Sequence, residues 1–430
     1  MKRKTTVEMR IWGRPVGVVG IDPNRPQTYA FEYFPAWASQ GIELAPFQMP
    51  TARAATRRTV WSFPEIGRGF KGLPGLLADA LPDAFGNRLI DAYLSRKGLS
   101  SGQITAIDRL AYMAKRGMGA LEFHPGAGSR KDFAGILDLT ALVEEARLVV
   151  AGQIGSPSEA SESLQEIIKV GTSAGGMRPK AVIAWSPGTS EVRSGQFDVP
   201  EGFEHWLLKF DGVDQSSADL GTPTGYGRIE YAYYLMATAA GIQMSRCELL
   251  HENGRAHFMT KRFDREGNKK HHVQSLCALR HLDYMDPRSH AYEQLFTTIQ
   301  DLNLGESARI EAFRRMALNF MAANQDDHTK NFAFMLREGG PWQLAPAYDV
   351  TYAYRPESAW VSAHQMSVNG KFENPSRDDL LTVSETFAVP GAKEILDKVR
   401  DATRRWGEFA KKAGVPAQEA NRLFMAFKAV

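Results

Sequence analysis

At 430 residues, with 43% hydrophobic and 23% charged residues, the chain has the composition of a soluble protein with material for two or three domain cores. Its formal charge of +3, from 52 basic against 49 acidic residues, gives no argument for nucleic-acid binding by bulk charge. The two cysteines, Cys247 and Cys277, cannot form a zinc site alone, Met1-Lys2-Arg3-Lys4 leads into no apolar run, and nothing approaches the roughly 18 apolar residues of a membrane span. A reducing, cytoplasmic location without membrane insertion is the expectation.

Val7, Met9 and Ile11 alternate ahead of Gly13-Arg14-Pro15, and Val16-Gly17-Val18-Val19 resumes the pattern, which is a hairpin signature. Tyr29 to Tyr33 reads as a third strand, so a small antiparallel sheet is expected at the amino end. Arg53, Arg57 and Arg58, before a strand over 59–63, read as a solvated edge, with a nucleic-acid contact as the alternative. Leu73-Pro74-Gly75 and Leu81-Pro82-Asp83 then lead to a helix expected from Asn87 to Leu94. Leu139, Leu142, Val143 and Ala146 give helical spacing within 137–150. The polar, Ser-rich stretch from Gly155 to Ser163 cannot pack a core, which places a domain boundary near it.

The run Gly171-Thr172-Ser173-Ala174-Gly175-Gly176-Met177-Arg178-Pro179-Lys180 is rich enough in glycine to turn backbone N–H groups toward a phosphate, with Lys180 adding charge. A flexible hairpin turn is the alternative. It is not a Walker A loop, because no Lys-Ser/Thr pair follows Gly176 and the next segment, Ala181 to Trp185, reads as a strand. His205 to Phe210 alternates, setting Trp206, Leu208 and Phe210 against Leu207 and Lys209. A helix from about Arg228 to Ala240, stopped by Gly241, carries Glu230 in its first turn. Kinases pair a strand lysine with a helix glutamate, which makes Glu230 a candidate partner of Lys209; an exposed helix-end glutamate favoured by the dipole is the alternative.

The chemistry concentrates further on. Ile310, Phe313, Met316, Ala317, Phe320 and Met321 form a helix-period run that ends abruptly at Asn324-Gln325-Asp326-Asp327-His328-Thr329-Lys330-Asn331. In protein kinases the Asp that accepts the substrate hydroxyl proton is followed five positions later by a metal-binding Asn, and a second metal-binding Asp comes later still. Asp326, Asn331 and Asp349 match that order. Phe332 to Leu336 and Trp342 to Leu344 read as two strands about Gly339-Gly340-Pro341, a hairpin expected to return Asp349 beside Asn331.

The pattern N-x-D-x-H-x-K-N followed by Leu344-Ala345-Pro346-Ala347-Tyr348-Asp349 resembles the HipA-like toxin serine/threonine kinases. Ser173 to Lys180 is similar to that family's S-x-x-G-x-x-x-K segment, Phe258 to Arg265 to its strand ending in R-F-D-R, and residues 70–94 more loosely to its amino-terminal subdomain. The resemblance implies an α+β, two-lobed protein-kinase-like fold, with an N-terminal antiparallel β subdomain and a mostly α-helical C-terminal lobe. It divides the chain into an N-terminal subdomain (1–150), a kinase N-lobe-like region (151–263) and a helical catalytic lobe (264–430).

The implied reaction is transfer of the γ-phosphoryl group of ATP to a Ser or Thr hydroxyl, with Asp326 as proton acceptor, and His328 and Lys330 supporting the loop. Asn331 and Asp349 would hold Mg2+. Ser173, Gly175, Gly176, Lys180 and Lys209 would meet ATP phosphates, and backbone near Lys261, Arg262 and Phe263 would meet adenine, although the family often carries Glu where Lys261 stands. Self-phosphorylation falls on Ser173. The implied partners are a small DNA-binding, HipB-like antitoxin, operator DNA through it, and a protein substrate such as an aminoacyl-tRNA synthetase. A small-molecule kinase with the same metal site and a catalytically silent repressor partner are the alternatives.

Overall fold

The computed structural model describes residues 5–82, 84–96, 98–126, 136–150, 167, 170–171, 178–213 and 225–428. The Ser-rich stretch expected to mark a boundary, 155–163, lies outside them. The chain packs as two compact units: residues 1–213 with 264–285 and 337–339, and residues 214–263 with 286–336 and 340–430. This interleaved grouping is a different partition from the linear division at 150 and 263, which stands as a proposal about sequence segments.

The first unit opens with the expected sheet. Strands β1 (Thr6–Ile11), β2 (Arg14–Asp22), β3 (Arg25–Tyr33), β4 (Val60–Ser62) and β5 (Leu121–His124) lie in the order β4-β3-β2-β1-β5, and every pairing is antiparallel. Alternation buries Val7, Met9 and Ile11 of β1 on one face. Trp12 and Gly13 join β1 to β2 with φ of 49° and 74°, the two positive angles of the hairpin turn whose twist matches its strands. The arginine run is a surface edge: Arg58 pairs with Glu32 at 2.6 Å and Arg53 lies over the Trp61 ring at 5.1 Å.

Helix α1 (Ala84–Arg96) contains the expected 87–94 segment, and α2 (Ala106–Met113) starts at a capping box in which Thr105 and Asp108 each accept the other's backbone N–H. Helix α3 (Leu139–Val150) buries Leu142, Val143 and Ala146 as its spacing predicts. A second antiparallel set follows, with β6 (Lys180–Trp185) between β7 (Val192–Ser194) and β8 (Glu204–Lys209). Trp206 and Leu208 of β8 are fully buried, and Trp206 meets Trp185 edge to face at 5.4 Å.

The second unit begins with α4 (Tyr226–Ala240), ended by Gly241 at φ 91°. Because α4 starts before Arg228, Glu230 stands beyond its first turn, and at 3% exposure it is a buried glutamate; the solvated helix-end reading is overturned. Strands β9 (Cys247–Glu252) and β10 (Arg255–Lys261) form a hairpin. Helices α5 (Tyr292–Asp301) and α6 (Gly305–Met321), the hairpin β11 (Ala333–Leu336) and β12 (Trp342–Leu344), and helices α7 (Ala392–Arg404) and α8 (Trp406–Ala413) follow. The fold is thus α+β, with antiparallel sheets dominating the first unit and helices the second. Among the described residues, no helix is long and apolar enough to cross a membrane.

Candidate active site

Helix α6 supplies the platform. Phe313, Met316, Ala317, Phe320 and Met321 are buried, and the helix ends at Ala322, followed by Ala323 at φ 51°. The chain then runs extended alongside residues 351–353: Gln325 N–H donates to Ala353 O at 2.9 Å and Ala353 N–H to Ala323 O at 3.1 Å. Deeper in α6, Arg315 pairs with buried Glu311 at 2.8 Å and donates to Ala345 O at 2.9 Å, which ties the segment after β12 to the same helix. Both limbs of the site are therefore anchored to α6.

Asp326 and Asp327 are adjacent and face opposite environments, as neighbours in an extended segment must. Asp327 is fully buried and accepts from Tyr292 Oη at 2.7 Å, His364 Nδ1 at 2.9 Å and Gln365 N–H at 2.8 Å. Asn319 donates to Tyr292 Oη and accepts from Asn324, both at 2.8 Å, which extends the network back into α6. Burial and the Asp327 charge together raise the Tyr292 hydroxyl well above its ordinary pKa, so it stays a donor.

The Asp326 side chain is 40% exposed. Its Oδ1 accepts the indole N–H of Trp360 at 2.7 Å and lies 3.7 Å from His328 Nε2. Burial among its neighbours raises this carboxyl above the usual range; His328 and the Trp360 hydrogen bond oppose that shift, while Asp349 and Asp327 reinforce it. A carboxylate of raised basicity that stays half exposed is suited to accept a proton.

The spacing of five from Asp326 to Asn331 has a structural cause. A single 3₁₀ turn, Thr329–Asn331, swings the Asn331 side chain back so that its Nδ2 donates to Asp326 O at 2.7 Å. With its nitrogen engaged, Asn331 offers its amide oxygen as a ligand. Asp349 sits at φ 53°, a left-handed conformation that Asp and Asn tolerate better than most side chains. Among the described residues, no group of three or more His, Cys, Asp or Glu side chains is placed to hold a metal. An Asn oxygen and one carboxylate fit Mg2+, a hard cation that takes its other ligands from phosphates and water.

Lys330, Tyr348 and Phe263 also come together. Tyr348 Oη donates to Lys330 O at 2.6 Å, and its ring stacks on Phe263 at 5.9 Å between centroids. Arg262 is buried, and Lys261 donates its backbone N–H to Arg246 O at 2.8 Å. Lys180 and Lys209 belong to the first unit, where they stand directly opposite each other as β6 and β8 partners. Like charges in that register are unfavourable unless an anion or carboxylate compensates them. Ser173, Gly175 and Gly176 lie outside the described residues.

Asp264 and Arg265, within the R-F-D-R pattern, are structural in the first unit: Asp264 is fully buried, accepts Gly119 N–H at 2.7 Å and pairs with Arg265 at 2.6 Å. Sequence reasoning also missed Asp327 and Trp360. Strand-like alternation through 324–328 could have separated Asp327 from Asp326, whereas nothing local marks Trp360.

The family descriptions decide the kinship. HipA-like C-terminal domain matches residues 172–421, and HipA N-terminal domain matches residues 7–124. The chain belongs to the HipA family. The solved HipA–HipB toxin–antitoxin complex with its operator DNA, from Shewanella oneidensis MR-1, is similar to 98% of this chain and 95% of that chain, at 15% identity and a TM-score of 0.66. The match extends the HipA fold over nearly the whole chain. The Helicobacter pylori proinflammatory kinase CtkA is a looser neighbour, covering 58% of this chain and 93% of its own at 12% identity and a TM-score of 0.35. No curated protein sequence matches the chain.

Proposed function

We propose that this HipA-family chain is an ATP-dependent serine/threonine protein kinase that acts as the toxin of a toxin–antitoxin pair. One observation carries the reading: Asn331 closes onto the carbonyl of Asp326 while the Asp326 carboxylate stays half exposed, with Asp349 near enough to perturb it. Asp326 accepts the proton of a Ser or Thr hydroxyl as that oxygen bonds to the γ-phosphorus of ATP; the bond to the β,γ-bridging oxygen breaks and ADP leaves. Mg2+, when bound, neutralises phosphate charge, and Asn331 and Asp349 would hold it. Lys330 and His328 keep the loop in shape, while Lys180 and Lys209 are assigned to nucleotide phosphates, and Lys261, Arg262 and Phe263 to the base.

The likeness to the HipA–HipB–operator DNA complex supports a small DNA-binding antitoxin as partner, and operator DNA through it. The family resemblance supports a cytoplasmic translation protein, such as an aminoacyl-tRNA synthetase, as substrate, and Ser173, with Gly175 and Gly176 beside it, as the self-modified residue. Incubation with labelled MgATP, alone and with cell extract, followed by phosphopeptide mapping, tests the whole reading. Asp326→Asn, nearly isosteric, is expected to lower transfer by about 10²- to 10⁴-fold with folding intact. Wild-type turnover in that variant removes Asp326 from its role.

A further inference from the structure

The segment after Asp349 folds back onto the catalytic loop and is fixed at both ends. Ser358 Oγ accepts the backbone N–H groups of Trp360 at 3.1 Å and Val361 at 3.2 Å, while Arg355 N–H donates to Val361 O at 3.1 Å. At the other end, Gln365 N–H is held by buried Asp327 at 2.8 Å, and the Gln365 side-chain amide donates to Trp360 O. The buried carboxylate thus anchors the strap that carries Trp360, and Trp360 in turn reaches the neighbouring half-exposed carboxylate through its indole N–H, at 2.7 Å from Oδ1.

Among the described residues, the hydrogen bond and the ion-pair contact to the Asp326 carboxylate both fall on Oδ1: Trp360 donates to it at 2.7 Å and His328 Nε2 lies 3.7 Å away, with the two rings inclined at 62°. Oδ2 is the oxygen this leaves for a hydroxyl. An indole N–H donates and never accepts, so it cannot take up the transferred proton itself. Its rigid ring also restricts rotation of a short carboxylate more tightly than a flexible donor would. We propose that Trp360 is a positioning residue for phosphoryl transfer, holding Asp326 through Oδ1 so that Oδ2 meets the acceptor hydroxyl. The assignment rests on the kinase reading and adds to it a residue that the family motifs do not contain.

The test uses the full chain and a serine peptide selected from a Ser/Thr peptide library, with MgATP. Trp360→Phe keeps an aromatic ring and removes the N–H. It is expected to lower kcat by about ten- to a hundred-fold, the weight of a hydrogen bond to a charged group, with KM for ATP and for the peptide unchanged. A second arm needs no turnover. With tryptophan labelled with ¹⁵N at the indole, the resonance missing from Trp360→Phe identifies Trp360, and it is expected to move toward the free-indole position in Asp326→Ala. An unchanged kcat in Trp360→Phe, a loss expressed only in KM, or an indole resonance indifferent to Asp326→Ala overturns the assignment while leaving the kinase reading intact. A wild-type chain that transfers phosphate to no peptide brings down the kinase reading, and this assignment with it.

Discussion

The amino-terminal sheet and the loop from Asn324 to Asn331 are held by opposite means. In the sheet, β1, β2 and β3 are joined by short turns and paired through successive backbone groups, so many similar hydrogen bonds share the register. In the loop there is almost no regular structure, and the conformation depends on groups from elsewhere: the side chains of Tyr292 of α5, Asn319 of α6, and Trp360 and His364 of the strap, with the strap's Gln365 backbone N–H. Three of those bonds converge on Asp327 alone. The sheet should therefore lose stability in small steps, whereas the loop should lose much of it at one residue.

The largest effect is expected at Asp327. Asp327→Ala strands the Tyr292 hydroxyl, His364 Nδ1 and the Gln365 N–H in a dry interior, and removing an acceptor costs the desolvation of each donor left behind. A loss of about 3–5 kcal/mol in chemical denaturation is expected, near the upper range for single substitutions. Asp326→Asn, one residue away, should unfold close to wild type. Equal stabilities for the two variants would erase the division of labour between the adjacent carboxylates.

That division also marks where the sequence could be read. The hairpins, the α6 platform and the return of Asn331 onto Asp326 were legible because each is a short-range pattern: alternation, a 3.6-residue period, and a single turn that brings Asn331 Nδ2 to Asp326 O. Asp327's role was hidden because its partners lie 35, 37 and 38 positions away, and Trp360 reaches Asp326 across 34. The exposure of Glu230 was misjudged for a local reason: the helix boundary drawn from Arg228 fell too late, and counted from Tyr226 the glutamate stands on the same buried stripe as Tyr226, Tyr233 and Ala237.

Within the sheet, the tightest place is Gly17 on β2. A Cβ there would stand 2.4 Å from Glu32 O and 2.7 Å from the Phe31 ring, on the paired strand β3. Backbone on one side and a fully buried ring on the other give little room to yield, so Gly17→Ala should cost about 1–3 kcal/mol through overpacking. The same denaturation measurement checks it. A cost matching that of Asp327→Ala would mean the sheet is as brittle as the loop, contrary to the contrast drawn above.

The smallest effect is expected at Gly13, in the turn between β1 and β2. No atom lies within 4 Å of a Cβ placed there, so sterics with neighbours contribute nothing, and the φ of 74° is the whole penalty. A left-handed conformation costs an L-residue about 1 kcal/mol, and Gly13→Ala should lose that much and no more. Asn tolerates this region through local hydrogen bonding, so Gly13→Asn should recover most of the loss. The pair isolates backbone conformation from packing. If Gly13→Asn proved as unstable as Gly13→Ala, the turn would be held by something other than its two positive φ angles, and the register of β1 against β2 would need another source.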